Sequence, residues 1–188
     1  MDIIADDYLI DTALRRKRFI YDKALHYAYQ FMVGGNFYSV VIRLITDEKE
    51  LIRLGYVLPV GVTFPQQGMG EVIFDMYIDV ESFGSFQHVV NLGLGGGKVL
   101  TKVALAMVTH YDTYGVGGYL FQAATRPSGG AQRFVTLEET YDYLLGLRTT
   151  PRINLKTGLL KKPPTPLLPE GMSAFKHTSM GVSYVILC

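Results

Sequence analysis

The sequence predicts an α/β (α+β) fold in which helices flank a mixed, mainly antiparallel central sheet. Runs rich in β-branched and aromatic residues, separated by turn residues, fill 37–45 and 56–90. A glycine-rich stretch, 91–98, joins the last of these strand-like runs to a helical run. Another strand-like run follows that helix. A right-handed crossover would make the strands before and after the helix parallel neighbours, and we expect them to splay apart.

An apolar stripe at helical spacing predicts a long N-terminal helix over residues 8–32. We expect this helix to stop before Gly34 and Gly35, because glycine commonly follows the last helical turn. The basic run 15–18 is interpreted as part of its solvated surface. The stripe comprises Leu14, Ile20, Ala24, Tyr27, Ala28 and Phe31.

The next part of the chain is predicted to form a strand, a short helix and then three strands before the glycine-rich stretch. Thr46 is predicted to cap the short helix, and Gly55 to end it. Turn residues separate the three later strands, which indicates an antiparallel meander. The predicted ranges are 37–45 for the first strand, 47–53 for the helix, and 56–62, 71–80 and 85–90 for the meander.

Helix and strand signals also alternate after the glycine-rich stretch. The helical run continues to about Tyr111, and Thr136 with Glu139 spells a capping box that starts a second helix. That helix carries Tyr141 and is expected to end near Gly146. The remaining predictions are a strand over 117–124, an extended proline-rich connection over 161–170 and a closing strand over 182–187.

Length and composition predict one domain, residues 1–188, and they limit the classes of function. A net charge of +1 gives no general attraction to phosphate backbones, so nucleic acid is not an expected partner. The one cysteine, Cys188, and four histidines without metal-ligand spacing predict no metal site. The acidic N-terminus lacks the pattern of a signal peptide, and no apolar run is long enough for a membrane span. We therefore expect a soluble, cytoplasmic protein without a membrane partner.

The glycine-rich stretch is the candidate binding site. Its N–H groups, at the start of a helix, offer a place for an anion, and the absence of Cβ atoms lets a ligand approach the main chain. Neither nucleotide motif fits, because Val99 replaces the hydroxyl of a Walker loop and Lys98 replaces the third glycine of a dinucleotide fingerprint. The alternative is a tight strand-to-helix turn without a ligand.

Residues 71–145 resemble the GNAT N-acyltransferase superfamily in the order of strand, glycine loop, helix, parallel strand and tyrosine-bearing helix. Three segments, 98–103, 120–124 and 140–145, look more narrowly like the GNAT-like proteins of tailed phages. The resemblance implies an acyl-CoA-dependent N-acyltransferase located in the host cytoplasm or the virion. Acetyl-CoA or another acyl-CoA would be the cofactor, and an amine the acceptor. The alternative is a non-catalytic binding or virion-associated module with a protein partner.

The resemblance also implies residue roles. The coenzyme A pyrophosphate would bind the N–H groups of Gly93, Gly95, Gly96 and Gly97, and Lys98 would assist. Tyr141 would protonate the departing thiolate, the alternative being a tyrosine packed in the core. Glu71 or Asp75, which share one face of their predicted strand, would deprotonate the amine, and the sequence does not choose between them.

Overall fold

A computed structural model of the protein describes residues 2–11, 14–76, 96–122, 137–147, 152–153, 160–161, 168–178 and 182–188. These residues form ten strands and three helices. In chain order they are β1 (Asp2–Asp11), β2 (Leu14–Tyr21), β3 (Ala24–Val33), β4 (Asn36–Ile45), α1 (Glu48–Arg53), β5 (Met69–Met76), α2 (Gly96–Tyr114), β6 (Gly118–Gln122), α3 (Leu137–Leu144), β7 (Arg152–Ile153), β8 (Leu160–Lys161), β9 (Ser173–His177) and β10 (Ser183–Leu187).

Eight of the described strands form one sheet, and β7 and β8 form a separate antiparallel pair. The order in the large sheet is β1-β2-β3-β4-β5-β6-β10-β9. Every neighbouring pair is antiparallel except β5 and β6. The prediction of a mixed, mainly antiparallel sheet is therefore confirmed. The parallel neighbours are β5, which precedes α2 in the chain, and β6, which follows it. The predicted strand 85–90 lies outside the described residues.

The predicted N-terminal helix over residues 8–32 is wrong, because β2 and β3 occupy most of this range as an antiparallel hairpin. Strand β3 is central in the sheet, and most of its side chains on both faces are buried. A strand buried on both faces has a nearly continuous apolar run, which also satisfies a helical stripe. The described part of the segment 8–11 belongs to β1.

The turns of these hairpins explain why the sequence did not indicate strands in this region. Asp22 and Lys23, which connect β2 to β3, both have positive φ angles, of 47° and 61°. Two-residue hairpin turns of this kind are usually marked by Asn-Gly or Asp-Gly, so Asp-Lys gives little signal. Gly34 and Gly35, predicted to end a helix, instead form the turn between β3 and β4, with φ angles of 60° and 81°.

Two smaller predictions before β5 also need correction. The side chain that caps α1 is that of Asp47, whose Oδ1 accepts a hydrogen bond from Glu50 N–H at 2.9 Å, so the cap is not Thr46. The predicted strand 56–62 is irregular chain, because the segment turns at Pro59, whose carbonyl accepts a hydrogen bond from Val62 N–H. Proline lacks the N–H that a central strand must donate.

Most other predicted elements are present where the structure describes them. Strands 37–45, 71–80, 117–124 and 182–187 correspond to β4, β5, β6 and β10, with β5 described to Met76 and β6 to Gln122. Helix α2 begins three residues earlier than predicted, and α3 is followed by a turn at Gly146. Thr136 and most of the proline-rich connection 161–170 lie outside the described residues.

Different helices pack on the two faces of the large sheet. On one face, here called the α2 face, side chains of α2 and α3 pack on aromatic residues of the strands, including Tyr29, Tyr119, Phe121 and Tyr184. On the other, the α1 face, Leu51 of α1 packs on side chains of the central strands, including Ile45, Met69, Leu120 and Val185. The side-chain alternation of the strands assigns each residue to one of these faces.

Candidate functional site

The start of α2 carries part of the predicted glycine site. Gly96 and Gly97 are the first two residues of the helix, and the side chain of Lys98 is exposed. The first N–H groups of an α-helix have no acceptor within the helix. Two of the predicted N–H donors are therefore at a helix start, whereas Gly93 and Gly95 lie outside the described residues.

Strands β5 and β6 pair over a short distance. The two parallel rungs recorded among the described residues are Gly70 with Tyr119 and Glu71 with Leu120. Both strands continue beyond these rungs, β5 to Met76 and β6 to Gln122. Past these rungs, β5 is paired with β4 and β6 with β10. These portions lie at the carboxyl ends of the two strands, where ligands commonly bind in sheets with parallel strands.

An apolar cavity of about 70 Å³ lies on the α2 face. Val72 and Phe74 of β5, Phe121 of β6 and Ile186 of β10 contribute to its floor, and side chains of α2 and α3 form its walls. Val72, Phe74 and Phe121 all follow the last rung between β5 and β6. The cavity thus lies beside the portions of the two strands where no pairing between them is recorded.

Tyr141 is part of this cavity wall. It is 6% exposed and packs edge-on against Phe121 and Tyr184, with ring centroids 5.2 and 5.6 Å away. Burial raises the pKa of its hydroxyl above the ordinary value, which keeps the proton on the oxygen at neutral pH. The same shift makes the Tyr141 hydroxyl a weaker acid than an ordinary tyrosine.

A polar network fixes the helix that carries Tyr141. The hydroxyl of Tyr184 donates to Asp142 Oδ1 at 2.8 Å and is 3.1 Å from the Glu138 carbonyl oxygen. Lys176 Nζ lies 2.7 Å from carboxylate oxygens of both Asp142 and Glu138. These contacts hold α3 against β9 and β10, so the orientation of Tyr141 is set by neighbours on both sides.

Glu71 lies on the opposite face of the sheet from Tyr141. Its Oε1 accepts a hydrogen bond from the Tyr56 hydroxyl at 3.0 Å, and its Oε2 is 3.9 Å from Arg43 Nη1. Burial raises its pKa, and the Tyr56 hydrogen bond and the Arg43 charge oppose that rise. Asp75 lies in β5 opposite Ser39 of β4. The structure therefore does not bring Glu71 to the cavity that Tyr141 lines.

Sequence reasoning missed a buried polar cluster around His110. This side chain is fully buried on the α2 face, where its ring contacts those of Tyr27, Tyr114 and Tyr119. The Tyr119 hydroxyl donates to the Met107 carbonyl at 2.9 Å and so accepts from His110 Nδ1–H at 2.9 Å.

The environment of His110 favours its neutral form. Among the described residues, Nε2 has no hydrogen-bond partner. Burial lowers the His110 pKa to about 4, and the Arg16 charge acts in the same direction. One feature of the sequence could have indicated this burial. His110 lies seven residues after Val103, which places it on the apolar side of α2.

The rest of the described chain adds no metal centre and no membrane helix. No group of three histidine, cysteine, aspartate or glutamate side chains able to hold a metal ion occurs among the described residues. In the same part of the chain, no helix has the length and apolar character needed to cross a bilayer.

Comparison with protein-family models, with curated proteins and with solved structures finds no match to this chain.

Proposed function

We propose that this protein is an acyl-CoA-dependent N-acyltransferase with a GNAT-like fold. The main support for the proposal is the apolar cavity beside the ends of β5 and β6, past the last rung that joins these two strands, with Tyr141 in its wall. The chain order is β5, α2, β6, α3, with β5 parallel to β6 and glycines at the start of α2. This order supports the proposal because it follows the order of elements in the GNAT superfamily, which the sequence resembles.

The proposed reaction transfers the acyl group from the coenzyme A thioester to an uncharged amine. The amine nitrogen forms a bond to the carbonyl carbon, and the carbon–sulfur bond breaks. Tyr141 gives its hydroxyl proton to the departing thiolate, the base takes the proton that the amine loses, and Tyr141 regains a proton from water. The pyrophosphate would bind the N–H groups at the start of α2, with the positive end of the helix dipole behind them. Placing the amine close to the thioester supplies much of the rate enhancement.

Binding is tested first, by thermal unfolding with and without acetyl-CoA. A ligand that binds only the folded protein adds about 2.7 kcal/mol of stability at 100 times its Kd. We expect the unfolding temperature to rise with acetyl-CoA concentration, and Gly96→Val to weaken this response because its side chain obstructs approach to the main chain. The absence of any shift at millimolar acetyl-CoA would contradict the proposal.

Catalysis is tested by Tyr141→Phe, with coenzyme A release measured in the presence of polyamines and lysine-containing peptides. We expect kcat to fall by at least about 100-fold, which is the usual contribution of a positioned proton donor, with little change in acetyl-CoA affinity. Tyr143→Phe on the same helix is the matched control and should leave kcat within about twofold. An equally small effect of Tyr141→Phe would refute its role as the acid.

Both predicted carboxylates are tested as the base. Glu71 lies on the face of the sheet opposite Tyr141, where it contacts Tyr56 and Arg43, so we expect its loss to leave the pH–rate profile unchanged. Loss of the catalytic base removes the acidic limb of the pH–rate profile, because that limb reports protonation of the base. Glu71→Gln and Asp75→Asn are therefore compared in this assay. If neither variant changes the limb, neither carboxylate is the base.

The second candidate is a non-catalytic GNAT-like module that binds a protein partner, such as a virion component of a phage. Two observations favour it. Glu71 already has structural partners on the α1 face, and Met32 and Phe37 form an exposed cross-strand pair, at 59% and 60% exposure. The acetyl-CoA titration separates the two functions, since this module requires no coenzyme response.

A further inference from the structure

We infer that Lys176 of β9 is a positioning residue for Tyr141. It acts through Asp142, the next residue of α3, and through Tyr184 of β10. This inference rests on the proposed acyltransferase function, in which Tyr141 is the acid, and identifies the side chain that controls the orientation of that acid. It follows from a row of cross-strand neighbours, from contacts with a shared carboxylate and from the short length of α3.

One row of cross-strand neighbours contacts α3. Phe121 of β6 pairs in register with Tyr184 of β10, and Tyr184 pairs in register with Lys176 of β9. Side chains directly opposite one another on neighbouring strands lie on the same face of a sheet. The rings of Phe121 and Tyr184 stack, with centroids 5.0 Å apart, and both contact the ring of Tyr141. Lys176 is therefore the third member of a row whose other two members contact Tyr141.

The two polar members of this row contact the same carboxylate. Lys176 Nζ lies 2.7 Å from Asp142 Oδ2, and the Tyr184 hydroxyl donates to Asp142 Oδ1 at 2.8 Å. Asp142 directly follows Tyr141 in α3, so a movement of its backbone also moves Tyr141. The contact between Lys176 and Asp142 is therefore transmitted to Tyr141 through a single peptide unit.

Lys176 also fixes the rotation of α3 about its own axis. Its Nζ lies 2.7 Å from Glu138 Oε1, and Glu138 and Asp142 are four residues apart, on one side of the helix. Partial burial lowers the Lys176 pKa, but the hydrogen bonds and charges of the two carboxylates outweigh it and leave the pKa above its ordinary value. The ammonium is thus charged at neutral pH, and its removal would leave two carboxylates on successive turns that repel each other.

The length of α3 makes its orientation depend on these contacts. The helix has 8 residues, Leu137–Leu144. Isolated helices shorter than about 12–15 residues are marginal in water, so tertiary contacts set the position of α3. A rotation of the helix would move the Tyr141 hydroxyl relative to the thiolate, and a misplacement of about 1 Å can reduce a rate about 100-fold.

The first test compares Lys176→Met and Lys176→Arg in the full chain, with acetyl-CoA and spermidine as substrates. Lys176→Met removes the charge, and kcat should fall about tenfold with the acetyl-CoA KM within about twofold. Lys176→Gln should act in the same direction. Lys176→Arg keeps a cation beside the two carboxylates and should retain at least about half of the wild-type kcat. Lys49→Met, at an exposed position in α1, is the matched control and should leave kcat within about twofold.

The second test asks whether Lys176 acts through Tyr141. In the Tyr141→Phe background, Lys176→Met should change kcat by less than about twofold, because the hydroxyl that it positions is absent. A further loss of about tenfold in this background would overturn the inference, since Lys176 would then affect catalysis by another route. A wild-type kcat in the single Lys176→Met variant would overturn it as well.

A measurement that needs no activity separates this inference from the proposed function. NMR spectra of protein with ¹³C-labelled tyrosine, assigned with Tyr141→Phe, report the environment of the Tyr141 ring. Lys176→Met should shift these signals, whereas Lys176→Arg and Lys49→Met should leave them as in the wild type. Unchanged Tyr141 signals in Lys176→Met would overturn the positioning role. Shifted signals, together with no acyl transfer by the wild type, would confirm the positioning role and refute only the proposed function.

Discussion

The two faces of the large sheet use the same strands but organise their polar groups differently. On the α1 face, Arg43, Glu50, Glu71 and Tyr56 form a half-buried network in which opposite charges contact one another. On the α2 face, an apolar cavity lies beside Tyr141, and His110 is buried without a charged partner in hydrogen-bond contact among the described residues.

The difference bears on where we propose that a ligand binds. In the α1 network the charged groups contact one another, although the buried Arg43 Nε has no hydrogen-bond partner among the described residues. The α2 face contains unfilled apolar volume next to the Tyr141 hydroxyl, and this is the proposed binding site. A perturbed pKa alone would have favoured Glu71 as a functional residue, but burial accounts for the raised pKa, and the contacts with Tyr56 and Arg43 oppose the rise.

The largest expected effect concerns the α1 network. Arg43→Ala should lower the free energy of unfolding by about 3 kcal/mol, because it leaves Glu50 and Glu71 half-buried without their shared cation. Denaturant unfolding measures this loss. Arg53→Ala is the control: Arg53 also pairs with Glu50, at 3.8 Å, but is 66% exposed, and its loss should cost less than about 1 kcal/mol. Equal effects of the two substitutions would mean that the network contributes no more than surface charge.

A similar effect is expected on the α2 face when the pH is lowered. The His110 pKa falls from 6.5 in the unfolded chain to about 4 in the folded protein. Below pH 6.5 the unfolded chain takes up a proton that the folded protein resists, so stability falls as the pH falls toward 4. The full contribution is about 3 kcal/mol.

Unfolding of wild type and His110→Phe from pH 7 to pH 4 measures this contribution. The variant should lose about 3 kcal/mol less stability over that range. His177→Gln, which removes a histidine at a half-buried position in β9, is measured alongside as a control for the loss of a histidine. Parallel stability curves for wild type and His110→Phe would show that His110 does not titrate in this window.

A smaller effect should come from the polar contacts that hold α3. Tyr184→Phe keeps the ring stacked on Phe121 but removes its hydrogen bond to Asp142, at a cost of about 2 kcal/mol. A double-mutant cycle with Asp142→Ala, which removes the acceptor oxygen, measures the coupling, which should be about 1 kcal/mol. Full additivity of the two substitutions would show that this hydrogen bond contributes nothing to the docking of α3.

The sequence predicted the elements whose signals are local. The glycine-initiated helix α2 and the strands β4, β6 and β10 each combine an apolar run with a recognisable end, so their type could be assigned without tertiary information. The crossover rule predicted a parallel neighbour for the strand after α2. The predicted neighbour, 85–90, lies outside the described residues, and the parallel neighbour that the structure shows is β5. Near the N-terminus, burial of β3 on both faces removed the alternation that distinguishes a strand, and the Asp22–Lys23 turn lacked glycine.

The candidate site was less accessible to sequence reasoning because it depends on side chains from distant elements. Tyr141 could be singled out on its helix, but its contact with Phe121 and the cavity required the folded chain. Glu71 has the carboxylate that a catalytic base requires, but in the structure this carboxylate contacts Arg43 and Tyr56. Neither partner is adjacent to Glu71 in the sequence. The residue types in the sequence predicted the candidate site residues. The folded structure then showed which face of the sheet Glu71 and Tyr141 each lie on.

The smallest effect tests a local detail of the α1 face, the cap of α1. Asp47 has an extended backbone, and its carboxylate accepts the Glu50 N–H, which satisfies one of the N–H groups that the first turn leaves unpaired. Asp47→Ala should therefore lower the free energy of unfolding by about 1 kcal/mol. Thr46→Ala changes the neighbouring hydroxyl, which the sequence had favoured as the cap, and should have an effect below about 0.5 kcal/mol. Asp47→Asn retains an acceptor oxygen and should recover most of the loss. If Thr46→Ala proves the more damaging substitution in denaturant unfolding, the hydroxyl rather than the carboxylate caps α1 in solution.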